Sequence, residues 1–124
     1  MKNGEKDRGI VERTVAYSLR IIKLYRELEK DTTGRILGKQ VLRSGTSIGA
    51  NVHEAQGAQS KADFIAKMSI AHKEARESSY WLRLISESGI LAKNRLQDIS
   101  DETEQLIKIL SSILITTKQS SKKL

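Results

Sequence analysis

The absence of proline is the feature that most constrains what this chain can fold into. Its 124 residues contain no Pro, although about 5 % is usual in proteins. Proline interrupts helices because it lacks a backbone N–H and clashes with the preceding turn. One Trp, three Tyr and one Phe are few for the packed faces of a β-sandwich. A chain of this length and composition is therefore expected to form one domain of long helices.

Composition also excludes several classes of active site. The chain has no Cys, which removes disulfides, thiolate metal sites and cysteine nucleophiles. Its two histidines, His53 and His72, lack the Glu-x-x-His and His-x-x-x-His spacings of di-iron bundles and zinc sites. The sequence contains neither G-x-x-x-x-G-K-S/T nor G-x-G-x-x-G, the two glycine-rich motifs that bind phosphate groups. We therefore predict a protein that is not an enzyme, with no catalytic residues, metal, cofactor or small-molecule substrate.

Hydropathy gives no sign of a membrane segment. The purely apolar stretches are only a few residues long, far short of the roughly 20 residues that a bilayer requires. Residues 1–8 contain no apolar core of a secretory signal. The expected location is the cytoplasm, and no membrane partner is predicted.

The spacing of apolar residues predicts the secondary structure. Apolar side chains recur with the helical period in four segments, at about 10–30, 34–56, 61–88 and 95–118. The links between these segments are short, so consecutive helices are expected to run antiparallel. The predicted fold is all-α: an antiparallel up-down-up-down four-helix bundle that forms a single domain over residues 1–124.

The breaks between the predicted helices carry residues that favour helix ends. Thr32 or Thr33 is expected to cap the second helix by accepting a hydrogen bond from a free backbone N–H. Ser60 is expected to do the same for the third helix. Gly57 suits the left-handed position that often ends a helix.

Three glycines lie on one flank of the apolar face of the second helix: Gly38, Gly45 and Gly49. A glycine inside a helix costs about 1 kcal/mol relative to alanine. Three of them on the same flank predict that a neighbouring backbone or large side chain approaches closely there.

The third helix carries a second apolar stripe, which we call the outer stripe. It consists of Ala66, Ile70, Trp81 and Leu84, is bordered by Tyr80, and lies well away from the stripe that faces the predicted core. Two apolar stripes on one helix indicate two packing partners. We predict that Ile70, Tyr80, Trp81 and Leu84 form an interface with a second subunit.

Polar side chains occupy another side of the second helix. Ser and Asn disfavour helix interiors, so such a row calls for partners. One interpretation is a buried hydrogen-bond network with a neighbouring helix, in which Glu54 or Glu74 pairs with Arg43 or Arg76. The other is a surface that faces a ligand or RNA, with Arg43 contacting phosphate. The members of this polar row are Gln40, Ser44, Ser47, Asn51 and Glu54.

The net charge of +7 and the pI of about 9.8 permit binding to nucleic acid. The surplus is spread along the sequence, with a local bias in the first half of the second helix. There, Arg35, Lys39 and Arg43 follow one another at four-residue spacing and form a basic stripe. This stripe is either a solvated helix face or a candidate nucleic-acid contact.

The polar row also carries a resemblance. Residues 40–54 have the pattern QxxRSxxSIxxNVxE, which resembles the signature of the four-helix-bundle proteins related to the 23S rRNA intervening-sequence protein. Residues 60–64 (SKADF), 70–77 (IAHKEARE) and 80–82 (YWL) are similar to the third helix of that family. The sequence departs from the family at Ala55, where Gly is common, and in lacking a Pro before the second helix.

The resemblance implies an antiparallel four-helix bundle that assembles as a ring-like homopentamer and has no known enzymatic activity. Some members of the family are encoded within inserts of bacterial large-subunit rRNA genes. Distant relatives are accessory proteins of retroelements and form basic pentamers that engage nucleic acid.

Three classes of function are therefore weighed. The preferred one is a non-enzymatic, bacterial, oligomeric bundle that binds RNA or DNA through basic surface. The alternative is an interaction module, or accessory subunit of a nucleic-acid-processing complex, that does not touch nucleic acid itself. The least favoured is an enzyme that uses Gln40, Arg43, Asn51 and Glu54.

Overall fold

The computed structural model describes the backbone of residues 2–122 and the side chains of residues 9–120. This part of the chain folds into four helices and contains no strand. The fold class is therefore all-α with four helices. The helices are α1 (Lys2–Leu28), α2 (Thr32–Gln56), α3 (Lys61–Glu87) and α4 (Lys93–Lys122).

The first and last helices extend beyond the segments that the apolar pattern marks. Helix α1 begins at Lys2 rather than near residue 10, and α4 runs to Lys122 rather than to residue 118. Once a helix has formed, adding a turn requires little free energy, and no proline stops it in these polar segments. Apolar spacing marks only the part of a helix that packs.

Two of the expected helix ends differ from the structure. Asp31, rather than Thr32 or Thr33, caps α2, and its carboxylate accepts a hydrogen bond from the Gly34 N–H at 2.8 Å. Gly57 has φ of −101°, so the left-handed prediction for it is wrong. Its N–H bonds to the carbonyl of Glu54 at 3.1 Å, and this tight final turn needs no left-handed residue.

The structure confirms the predicted cap of α3. Ser60 Oγ accepts a hydrogen bond from the Asp63 N–H at 3.0 Å. The left-handed glycine of the described chain lies at the other end of the same helix, where Gly89 has φ of 77°. Glycine adopts this conformation without the steric penalty that a Cβ would impose.

Helix α1 packs closely against the glycine flank of α2, as the sequence predicted. A Cβ added to Gly38 would lie 3.0 Å from Tyr25 Cδ1, and one added to Gly49 would lie 3.3 Å from Thr14 Cβ. Between these two positions, a Cβ at Gly45 would lie 3.0 Å from Ile21 Cγ1. The contacted residues thus follow one another in opposite directions along the two helices.

The core lies between the four helices and contains most of the predicted apolar faces. In α1, however, Val15 and Leu19 remain about half exposed on the outer side. In α4, Leu114 is buried while Ile113 is only partly so. None of the helices, over the residues described, is long and apolar enough to cross a bilayer. The largest fully buried side chains include Tyr17, Ile21, Leu28, Ile48, Met68, Leu82, Ile85, Leu96, Leu106 and Leu110.

Candidate nucleic-acid interface and the polar row

One member of the polar row is buried between helices. Ser44 is fully buried, and its hydroxyl shares a hydrogen bond of 2.8 Å with that of Ser78 on α3. Ser78 Oγ also lies 2.9 Å from the carbonyl oxygen of Glu74. Each hydroxyl thus has a partner in a place that water does not reach, which makes this contact sensitive to the register of α2 against α3.

Arg43 lies beside Ser44 at the edge of the same contact and is surrounded by acceptors. Its guanidinium pairs with Glu77, lies 3.5 Å from Glu74 Oε1, and donates to Gln40 Oε1 at 3.1 Å. Trp81 Nε1 donates to the same Glu77 carboxylate at 2.9 Å. Two carboxylates therefore offset the charge of Arg43, which reduces its attraction for a phosphate.

The remaining members of the polar row stay within α2. Asn51 Nδ2 donates to the carbonyl oxygen of Ser47 at 2.9 Å and to its hydroxyl at 3.1 Å. Glu54 is exposed, and no described cation lies within salt-bridge distance of it. The row is thus divided: Ser44 bonds to α3, whereas Gln40, Ser47, Asn51 and Glu54 form no hydrogen bond to α3 among the described side chains.

The basic stripe is divided in the same way. Arg35 and Lys39 are exposed, and neither lies within 4.0 Å of a carboxylate among the described side chains. Arg43 differs from them because of its two acidic neighbours. The structure therefore leaves Arg35 and Lys39 as the members of the stripe with unpaired charge.

The outer stripe of α3 lies partly open to solvent. Ile70 is 43 % exposed and Tyr80 is 55 % exposed, while Trp81 and Leu84 are half-buried. The rings of Tyr80 and Trp81 meet edge to face, with centroids 5.1 Å apart. Trp81 also donates to the Glu77 carboxylate that pairs with Arg43, so apolar and charged groups share one surface.

Two polar contacts between α1 and α4 were not predicted from the sequence. The Tyr17 and Thr103 hydroxyls lie 2.7 Å apart in the core, and Thr103 also donates to the carbonyl of Ile99 at 2.7 Å. Burial raises the pKa of Tyr17 to about 12 because a phenolate would lose its hydration. Nearer the surface, Arg13 donates to both carboxylate oxygens of Glu102, at 2.7 and 3.0 Å.

The sequence signal for the Tyr17–Thr103 contact was present but ambiguous. Both residues fall on apolar stripes, where a tyrosine or threonine can serve as a purely apolar filler. That their hydroxyls meet depends on how α1 and α4 pack.

Among the described residues, no group of three or more His, Asp or Glu side chains could hold a metal ion. Partial burial lowers the pKa of His72, and the nearby Arg76 adds to this effect. Four open grooves of about 350 to 600 Å³ on the described surface are lined by residues outside the polar row.

Comparisons with known proteins agree with the resemblance seen in the sequence. The model of the 23S rRNA-intervening sequence protein family matches residues 6–112. A crystal structure of a protein of unknown function from the S23 ribosomal protein family of Bacteroides thetaiotaomicron is similar, at 40 % identity and a TM-score of 0.84. That match covers 88 % of this chain and 97 % of the other. No curated protein sequence matches.

Proposed function

The chain belongs to the 23S rRNA-intervening sequence protein family, and from this we propose that it is a non-enzymatic, self-associating helical bundle that binds RNA. In this proposal the helices have up-down-up-down topology, and the protein acts in the bacterial cytoplasm as a ring-like homopentamer. DNA is the second nucleic acid to test.

The outer stripe of α3 supports self-association. Ile70 and Tyr80 expose large apolar areas to solvent, and Trp81 and Leu84 continue the same surface. Isolated exposed apolar residues are common on monomers, but several of them on one side of a helix are typical of an interaction surface. The proposed occupant is a second copy of the chain, since the resemblance implies a homopentamer.

Light scattering coupled to gel filtration tests this part of the proposal. A pentamer of the 13.9 kDa chain is expected for the unmodified protein. The double variant Ile70→Glu, Tyr80→Glu should shift the mass toward the monomer because it places charges in the interface. The matched control is Val15→Glu, Leu19→Glu, which changes two similarly exposed residues on α1. A monomeric unmodified protein, or equal effects of the two variants, would contradict the proposal.

Arg35 and Lys39 support the binding of RNA. They are exposed and free of acidic partners among the described side chains, so their charges remain available to phosphate. Assembly would strengthen this attraction, since a pentamer carries five times the net charge of +7. The expected binding is sensitive to salt and weakly dependent on sequence.

A gel shift with structured rRNA fragments tests RNA binding. At micromolar protein, a shift is expected at low salt, and it should weaken at physiological salt. The variant Arg35→Glu, Lys39→Glu, Arg43→Glu should abolish it. If no shift appears at low salt, RNA binding is refuted. If the variant gives the same shift as the unmodified protein, the basic stripe does not contact the RNA.

The pairing of Arg43 favours a second candidate function. Because two carboxylates offset this cation, the surface around it is less suited to phosphate and more suited to a protein. The alternative is therefore an accessory subunit of a nucleic-acid-processing complex. A partner that co-purifies with the tagged protein from its native host, together with an absent gel shift, would favour this alternative.

A further inference from the structure

The structure brings together two parts of the chain that are distant in sequence, and both are basic. The first is residues 20–39, around the link between α1 and α2. The second is residues 83–98, around the link between α3 and α4. Glu27 Oε1 lies 3.5 Å from Arg95 Nη2. A Cβ added to Gly34 would lie 3.3 Å from Ile90 Cγ2. These contacts show that both links lie at the same end of the molecule, which we call the basic end.

The basic end holds the whole positive surplus of the described side chains. It contains nine Lys or Arg and five Asp or Glu, whereas the other described residues contain eight of each. The rest of the net charge of +7 belongs to residues 1–8 and 121–124, whose side chains the structure does not describe. A charge that is diffuse along the sequence is therefore polarised in space.

Most carboxylates at the basic end are already engaged. Asp31 accepts the backbone hydrogen bond that caps α2, and Glu27 pairs with both Lys30 and Arg95. Glu87 pairs with Arg83.

The remaining cations of the basic end are free to bind another molecule. They are exposed, and no carboxylate lies within 4.0 Å of them among the described side chains: Arg20, Lys23, Arg26, Arg35, Lys39 and Lys93.

We propose that the basic end is the surface on which the phosphates of RNA dock. This inference rests on the proposed function and changes the location of the contact. The sequence predicted a contact through Arg35, Lys39 and Arg43, whereas the contact proposed here uses Arg26 of α1 instead of Arg43. Tyr25 lies against Gly38, so the residues that follow them, Arg26 and Lys39, lie on adjoining turns of α1 and α2. Together with Arg35 they form a contact surface that crosses two helices.

The composition of this surface favours phosphate over a lipid bilayer. Helices that lie in a membrane surface bury an apolar face at the headgroup boundary in addition to attracting anionic lipids. At the basic end, Ile36 is the single large apolar side chain that is strongly exposed among the described residues. Arginine guanidinium groups, by contrast, match phosphate oxygens through paired hydrogen bonds.

The test compares two triple variants that remove the same charge. The basic-end variant is Arg26→Gln, Arg35→Gln, Lys39→Gln, and the matched control from the opposite half is Lys61→Gln, Lys108→Gln, Lys118→Gln. The Kd for a structured rRNA fragment is measured by gel shift at several salt concentrations, after urea unfolding has shown that each variant folds. The basic-end variant should raise Kd about tenfold or more and lower the salt slope by about 2 to 3, whereas the control changes little.

Three outcomes would overturn the inference while the proposed function stands. Equal losses in the two variants would mean that charge acts diffusely. A loss confined to a third variant, Lys122→Gln, Lys123→Gln, would place the contact at the C-terminus. If the basic-end variant loses binding to phosphatidylserine vesicles while its RNA binding is unchanged, the basic end binds a membrane instead. If the unmodified protein gives no shift at low salt, the proposed function itself fails.

Discussion

Helix α2 meets its two neighbours in different ways. On the side of α1, glycines let bulky side chains approach its backbone, as where a Cβ at Gly45 would lie 3.0 Å from Ile21. On the side of α3, the contact includes the buried Ser44–Ser78 hydrogen bond, with Arg43 and its carboxylates at the edge. The first contact depends on the absence of side-chain volume, and the second on matching donors with acceptors.

This difference teaches which changes each contact tolerates. A close-packed contact has no room for an added methyl group, and its cost is steric. A polar contact accepts changes of volume more easily, but loses free energy when one partner is left unsatisfied. Substitutions at Gly34, Tyr17, Ser78 and Arg43 test this contrast, and their expected effects decrease in that order.

Gly34→Ala should be the most destabilising change. The added Cβ would overlap the carbonyl oxygen of Leu28, a backbone atom that cannot rotate away, and would press on Ile90. We expect a loss of about 2 to 3 kcal/mol in the free energy of unfolding, although alanine favours helix by about 1 kcal/mol. Urea unfolding measures it. The control is Gly9→Ala, which has nothing within 4 Å and should be neutral or stabilising.

The Tyr17–Thr103 contact tests whether a polar contact of α1 also contributes to the free energy of unfolding. The pKa of Tyr17 is about 12 in the folded state and 10.0 in an ordinary tyrosine. The stabilisation linked to this difference is therefore fully present below pH 10. Between pH 10 and 12 the unfolded chain loses this proton first, and stability falls by up to about 2 to 3 kcal/mol. Tyr17→Phe should lack this part of the decline. Parallel pH curves for the two proteins would refute the assignment.

Ser78→Ala should cost less. It leaves Ser44 Oγ buried without its partner, which predicts a loss of about 1 to 2 kcal/mol. In the double variant Ser44→Ala, Ser78→Ala no unsatisfied hydroxyl remains, so its loss should be no larger than that of the single change. Additive losses in this double-mutant cycle would show that the two hydroxyls act independently.

Arg43→Gln should have the smallest effect. The guanidinium and the Glu77 carboxylate are partly exposed, whereas the Glu74 side chain is only 14 % exposed, so we expect a loss of about 1 kcal/mol that shrinks in high salt. The fluorescence of Trp81, the single tryptophan, should change because its partner Glu77 is released from Arg43. Unfolding in urea at low and high salt measures the first effect, and a loss that is independent of salt would contradict the ion-pair explanation.

The parts of the fold that local rules determine were predictable from sequence. The helical period located the four helices, and Ser60 was recognised as a cap because a cap acts on the next few residues. The glycine flank of α2 predicted a close neighbour, because three glycines in one helix cost too much free energy to lack a reason. Asp31 was missed because two threonines beside it are also good caps.

The candidate site was less predictable because it depends on contacts across helices. The polar row was visible in the sequence, but whether Ser44 faced α3 or solvent was left open. Ser78, its partner, carried no signal of its own, since a serine in a helix has many possible environments. In the basic stripe, nothing in the local sequence distinguished Arg43 from Lys39; the difference comes from Glu74 and Glu77 on α3.

The sequence by itself determined that the chain is helical, since it has no proline, a helical period of apolar residues and short capped links. It also determined the side of α2 that a neighbour approaches. Only the tertiary structure decided where the charge is available. Residues 20–39 and 83–98 are far apart in sequence and meet only after the helices pack. Electrostatic attraction depends on distance in space, so a diffuse charge became a basic end only through the fold.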